Sequence, residues 1–262
     1  MCIFIFNIFR TGFKKNLNRA GQSIRQKTGL TDKTMDPEFA EELEKFKILE
    51  KNIENLSKEA KGYQNAMKAI NKSQVELIEA MSSFYNETTE DPSFKEYKKI
   101  IKQLEYSLKT DVDEDYSTTV VEPLARYCSF FPEVNEVIKR RQKKLLDYDN
   151  QRTKVQKLVD KPSDDPQKLI LAEKELDVAR EMYENLNNML ISELPKVNNL
   201  RVPYLDPTFE TMIKSHLLLG QIGYEKLESI RYIFTSDNNG CGDDGLSNIL
   251  QQMNDLTICG NI

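Results

Sequence analysis

Residues 138–152 read IKRRQKKLLDYDNQR. In a helix, Ile138, Leu145 and Tyr148 recur at alternating three- and four-residue steps, with Arg141 and Arg152 at the seam positions between them. Lys139, Arg140, Lys143 and Lys144 sit beside that seam. One segment thus offers a helix-packing surface and a positive surface, which suits a rigid helical scaffold that grips something anionic.

The rest of the chain fits that scaffold. Of 262 residues, 39% are apolar and 30% charged, as in thin helical bundles that expose much surface per residue. The net charge of −5 rules out a general polycation, so attraction to an anion must come from a local face. The four cysteines, Cys2, Cys128, Cys241 and Cys259, form no close pair and show no metal-ligand spacing. They read as free thiols in a reducing compartment, and no metal or cofactor is implied.

The first ten residues, MCIFIFNIFR, are apolar but too short to span a bilayer, which takes about 20 residues. No acidic residue occurs before Asp32, whereas Arg10, Lys14, Lys15, Arg19, Arg25 and Lys27 do. A helix from Gly12 gathers Phe13, Leu17, Ala20 and Ile24 on one face, with most of the cations elsewhere. That pattern suits an amphipathic helix lying in a membrane interface, with Phe13, Leu17 and Ile24 inserted and Lys14, Lys15, Arg19, Arg25 and Lys27 at the headgroups. A mitochondrial transit peptide shares the composition, and a cationic linker is the plainest alternative. With no core to pack against, residues 12 to about 28 are expected to be disordered in water and helical on lipid.

Four Asp-Pro pairs, at Asp36, Asp91, Asp165 and Asp206, mark helix starts, because Asp caps well and Pro suits the first helical position. A first long helix is expected from about Pro37 to Asn86. Its seam reads Phe46, Leu49, Ile53, Leu56, Ala60, Tyr63, Met67, Ile70, Gln74, Leu77, Met81 and Phe84. At about 1.5 Å per residue it spans roughly 70 Å. A second runs from Pro92 to Asp160, with its register disturbed by the acids at 111–115 and kinks at Pro123 and Pro132. A third starts at Pro166, bends between Pro195 and Pro207, and places Phe209, Met212, His216, Gly220, Gly223, Leu227 and Ile230 on its later seam. From Ser236 the chain reads as a polar linker, followed by a short apolar pattern, Leu246 to Leu256, that suits a last docking helix.

Enzyme chemistry is not expected. His216, the single histidine, falls on a seam and reads as a packed core residue, and no phosphate loop is present. A cationic stripe is present: Arg140, Lys154 and Lys161 share a heptad position, Asp147 is the exception, and Lys143, Lys144 and Lys157 lie close by. With Lys139 these residues form the candidate lipid-binding stripe. Arg141 and Arg152 are expected to pair with Asp147 or Asp149 and fix register.

Taken together, GFKKNLNRAGQSIRQKTG, DKTMDPEFAEELEKF, VVEPLARYCSFFPEVNEVIKRRQKKLLDYDNQR and EKELDVAREMYENLNNMLISELPKVNNLRVPYLDPTFETMIK resemble an N-BAR domain of the amphiphysin type. Among subgroups the chain is most similar to the short fungal amphiphysin-like proteins, the reduced-viability-upon-starvation type without an SH3 domain. The resemblance implies an all-α fold: a long, kinked three-helix antiparallel coiled coil that dimerises into a curved six-helix bundle. It implies an unassigned start over 1–11, an N-terminal amphipathic helix over 12–34, the BAR domain over 35–235 and a flexible tail over 236–262. It implies membrane-curvature sensing or generation on anionic phospholipid, roles in endocytosis and cortical actin organisation, and a cytoplasmic location peripheral to the plasma membrane. Its implied partners are a second copy or an SH3-bearing BAR relative, together with actin-cytoskeleton and endocytic proteins. By the same resemblance Lys14, Lys15, Arg19, Arg25, Arg140, Lys143 and Lys144 contact lipid, whereas Asp164 and Asp165 replace the cations expected at the tip between the second and third helices. A purely structural coiled coil is the alternative. Nucleic acid is disfavoured, since no exposed aromatic platform accompanies the cations. A lone protomer is expected to expose apolar flanks such as Phe130 and Tyr183 and therefore to dimerise.

Overall fold

The computed structural model describes residues 16–24, 34–85, 92–235 and 243–256, and every regular element among them is helical. Helix α1 covers residues 16–24. It is followed by α2 (Pro37–Ser82), α3 (Pro92–Ser107), a π-helical stretch (Leu108–Asp113), α4 (Glu114–Tyr116) and a second π-helical stretch (Ser117–Val121). Then come α5 (Glu122–Asp160), α6 (Gln167–Asn199), α7 (Arg201–Glu228), α8 (Arg231–Thr235) and α9 (Asp243–Asn254).

Aspartate side chains set two of the helix starts. Asp36 Oδ1 accepts the Phe39 N–H at 3.0 Å, and α2 opens on Pro37. Asp165 Oδ1 accepts the Gln167 N–H at 3.0 Å, so α6 starts one residue later than expected. Asp206-Pro207 does not restart a helix. The break falls at Leu200, and α7 begins at Arg201, which puts Pro203 in a first turn where its missing donor is not needed. Pro123 likewise sits at the start of α5, and only Pro132 lies inside it. The acids at 111–115 fall on the π-helical stretch and α4, where the wider turns keep Val112, Tyr116 and Val120 buried at four-residue steps.

The chain divides into two compact units, Met1–Glu59 with Val121–Thr208 and Ala60–Val120 with Phe209–Ile262. In the first unit, α5 and α6 pair residue 141 with 187, 148 with 183 and 154 with 175, the descending order of antiparallel neighbours. The first part of α2 lies against both. Phe39, Phe46, Leu49, Ile53, Tyr127, Phe131, Ile138, Leu190 and Leu194 form its core, with Phe46 edge-on to Phe131 at 5.8 Å. Tyr183 is buried at the stacked Tyr148 ring, so it is core rather than the exposed flank expected of it, whereas Phe130 is exposed.

A polar knot closes this core. The Arg141 guanidinium is 4% exposed. Its Nη2 donates to Asp36 Oδ2 at 3.0 Å and to Tyr183 Oη at 3.1 Å, while Nε donates to Asn187 Oδ1 at 2.7 Å. The Phe39 ring centroid lies 3.8 Å from its Cζ. Asn187 Nδ2 donates to the same Asp36 oxygen at 2.6 Å. Asp149, fully buried, accepts the Thr34 hydroxyl at 2.6 Å and pairs with Arg152 at 3.5 Å. The expected Arg152–Asp149 pair therefore forms, but Arg141 pairs with Asp36, because Asp147 lies on another face of α5 and is engaged by Arg19.

In the second unit the buried line departs from the expected seam. Gln64 is 5% exposed and donates through Nε2 to Asp113 Oδ1 at 2.8 Å, and Asn71 Nδ2 donates to the Glu105 carbonyl at 3.3 Å. These amides turn inward to satisfy partners in α3 and the π-helical stretch, so the line continues through Val75 to Ile78. Ile70, Leu77 and Phe84 are left outside. On α7, Ser215 and Ile222 take inward positions, whereas Ile213 and Leu217 are exposed. His216 is exposed too, its ring 4.7 Å from that of Tyr63, which corrects the expectation of a packed core histidine. Helix α9 forms, but Ile249, Leu250 and Met253 are exposed, so the expected docking is not observed. The linker expected at 236–242 lies outside the described residues.

Burial pushes the Asp36 carboxyl up, but the Phe39 amide, the Asn187 amide and the Arg141 guanidinium outweigh it and hold the group below its ordinary value. Its stabilising contribution is therefore complete above the unfolded value near pH 4 and is lost as pH falls through the lower folded value. Asp36→Asn is expected to be less stable than wild type at pH 7 and to approach it in strong acid, as read by urea unfolding across pH. A difference that stays constant with pH would exclude this role. Arg141→Ala, which strands Asp36, is expected to cost about 3–5 kcal/mol at pH 7.

Candidate cationic site

Steps of three and four residues along α5 align Arg140, Lys143, Lys144, Asp147, Lys154 and Lys157 on one side of the first unit, and Lys161 follows just past the helix end. The side forms because Ile138, Arg141, Leu145 and Asp149 face inward, leaving the intervening positions to solvent. Lys139, Arg140, Lys143, Lys154, Lys157 and Lys161 are exposed, and Lys144 is half-buried.

Their partners divide them. Lys139 pairs with Glu136 at 2.7 Å and Lys154 with Glu175 of α6 at 2.6 Å. Lys144 Nζ approaches the Met182 thioether at 3.2 Å, a contact that leaves its charge uncompensated. Among the described residues, Arg140, Lys143, Lys157 and Lys161 make no ion pair. Four charges gathered along and just past one helix create a local positive field on a protein of negative net charge.

Helix α6 contributes cations that the sequence reading did not select. Lys168 lines a groove with Lys154 and Lys157, and Lys174 lines a second with Lys144 and Asn150. Their signal was the antiparallel pairing itself, which sets the start of α6 beside the end of α5. Asp164 and Asp165 lie in the turn between them, exposed, and Asp165 is engaged in capping α6.

The N-terminal candidates fare differently. Phe13, Lys14, Lys15, Arg25 and Lys27 lie outside the described residues. Leu17 and Ile24 are exposed on α1. Arg19, expected to face lipid, instead donates from Nε to Asp147 Oδ1 at 2.8 Å and from Nη2 to Oδ2 at 2.7 Å. Gln22 of the same helix is fully buried. Residues 16–24 thus find on α5 the surface that the sequence reading did not foresee, and they are helical. Asp147, the acid that interrupts the cationic line, is the residue that receives them.

No cluster of potential metal ligands occurs among the described residues, and no described helix is long and apolar enough to cross a membrane. The family model described as BAR domain matches residues 13–232. Protein hob3 of Schizosaccharomyces pombe is 43% identical over 255 residues, covering 95% of this chain and 97% of that protein. The Candida albicans protein named Regulator of cytoskeleton and endocytosis RVS161 is 38% identical over 257 residues, covering 94% of this chain and 97% of its own length. Among solved structures, the amphiphysin BAR domain from Drosophila is similar with a TM-score of 0.65 at 25% identity, covering 80% of this chain and 97% of that one.

If Lys154 is neutralised by Glu175, then Glu175→Gln adds a free cation to the face. Affinity for an anionic surface is expected to rise by roughly fivefold, the equivalent of about 1 kcal/mol. Later elution from a cation exchanger at pH 7 reads this directly, and unchanged elution would show that Glu175 does not offset Lys154.

Proposed function

Because the chain belongs to the BAR domain family, we propose that it is a scaffold that binds anionic phospholipid membrane as a dimer and senses or generates curvature. The observation that carries this reading is the line of exposed cations, Arg140, Lys143, Lys157 and Lys161, which make no ion pair among the described residues. Each cation near an anionic bilayer contributes about 1 kcal/mol, so one protomer binds weakly and two acting together bind firmly. Phe13, Lys14, Lys15, Leu17, Arg25, Lys27 and Ile24 supply a wedge at the same membrane, and Lys139, Lys144 and Lys154 extend the face.

Apolar exposure in the second unit supports assembly. Ile70, Leu77 and Phe84 of α2 and its following turn, and Ile213, Leu217 and Tyr224 of α7, are all exposed in the single chain. Surface of that kind calls for a partner, here a second copy or an SH3-bearing BAR relative. The name of the Candida relative supports a role in endocytosis and the cytoskeleton. A cytoplasmic protein peripheral to the plasma membrane, at cortical actin patches and in contact with endocytic and actin-organising proteins, is the setting that suits these properties.

The test is the triple charge reversal Arg140→Glu, Lys143→Glu, Lys144→Glu. It leaves Ile138, Leu145 and Tyr148 in place, so helicity and the dimer mass by light scattering are expected to stay unchanged. Co-sedimentation with phosphatidylserine vesicles is expected to disappear, and wild-type binding to weaken as salt rises. A folded, dimeric triple variant that binds as well as wild type would return the chain to the reading of a structural coiled coil.

A further inference from the structure

We propose that Arg19 and Asp147 form a clasp that seats α1 on the cationic face of α5 before any membrane is met, and so act as positioning residues for the wedge. This rests on the membrane reading above and adds to it how the wedge and the stripe come to act on the same patch of lipid.

Three observations carry it. First, Arg19 meets both Asp147 oxygens, at 2.8 and 2.7 Å, in the parallel fork that only a guanidinium makes to a carboxylate. Second, the side of α1 turned toward the protein is polar. Gln22 is fully buried and Arg19 and Ser23 half-buried, while Leu17 is 64% exposed and Ile24 62% exposed. A surface helix normally hides its apolar stripe and shows its polar one. Here the arrangement is reversed among the described residues, and the charge-assisted fork ties α1 to α5. Third, Asp147 occupies the one position in the cationic line that carries an acid, and Asn18 of α1 lines the same groove as Lys144, Asp147 and Lys174.

Together these put the apolar edge of α1 toward solvent beside the cations that draw an anionic bilayer. An isolated helix of this length is marginal in water and would otherwise be ordered at the moment of insertion. Ordering it beforehand lowers the entropic cost of insertion. Asp147→Asn removes an anion from the face, so it favours adsorption by charge while releasing the wedge. The two effects are opposite in sign, which separates positioning from simple attraction.

The experiment uses the full-length protein. Hydrogen–deuterium exchange of residues 16–24 is measured without lipid, then co-sedimentation and tubulation with phosphatidylserine vesicles, for wild type, Asp147→Asn, Arg19→Gln and the swap Arg19→Asp with Asp147→Arg. Wild type is expected to protect residues 16–24. The single variants lose that protection roughly ten- to hundredfold, as loss of a charge-assisted bond implies. Asp147→Asn sediments at least as well as wild type yet forms several-fold fewer tubules, and the swap restores both protection and tubules. Equal exchange in wild type and Asp147→Asn would overturn the clasp. Lost protection with undiminished tubulation would overturn its role in positioning. A wild type that neither sediments with vesicles nor tubulates them would overturn the membrane reading, and with it the positioning role. The lipid-free exchange would still report on the clasp separately.

Discussion

A single buried guanidinium organises the first unit. Arg141 sits where a coiled-coil seam ordinarily carries an aliphatic side chain, and at 4% exposure it has almost no water. Asp36, Asn187 and Tyr183 converge on it while Phe39 covers its face. Removing Asp36 or Asn187 leaves a polar group without a partner in a low-dielectric setting, at a cost comparable to burying a large apolar side chain. The orientation of α5 follows from this. With Arg141 and Asp149 fixed inward, Arg140, Lys143, Asp147 and Lys154 have nowhere to point but outward.

The cationic face and the N-terminal helix are thus two products of the same rotation. Asp149 receives Thr34 on the inner side of α5, and Asp147, two residues earlier, receives Arg19 on the outer side. Residues two apart on a helix point to nearly opposite sides. The chain entering α2 and the helix preceding it are therefore attached to different faces of one rod. The acid that looks like a flaw in the positive stripe is an attachment point, and the stripe keeps its sign because Arg19 restores the charge that Asp147 removes.

Much of this was legible in the sequence. The steps from Ile138 to Arg152 gave the helix, its seam and its cationic flank, and the Asp-Pro pairs at 36 and 91 gave true helix starts. The misses share a cause. Heptad reading assumes that inward positions are apolar, and it fails where inward positions are polar for a reason only tertiary structure supplies. Arg141 was matched to acids on its own helix because Asp36 is distant in sequence. The line through Ile70 and Leu77 was preferred because nothing local announces that Gln64 will meet Asp113. His216 followed the same mistaken line on α7. Arg19 looked like one more lipid-facing cation because its partner lies 128 residues away.

The polar closure of the first unit also bears on how it assembles. The α5–α6 hairpin is local and would ordinarily be the first tertiary structure to form. Yet its pairing buries Arg141 against an amide and a phenol, with no carboxylate on either helix in reach of the guanidinium. Asp36, from the far end of the chain, supplies the missing negative charge. The α5–α6 pair alone is thus left with a stranded ion that only the start of α2 removes. The hairpin on its own is penalised, which couples its closure to the docking of α2. A helical rod gains stiffness from this, because a hairpin detached from α2 is not a state of moderate energy into which it can yield.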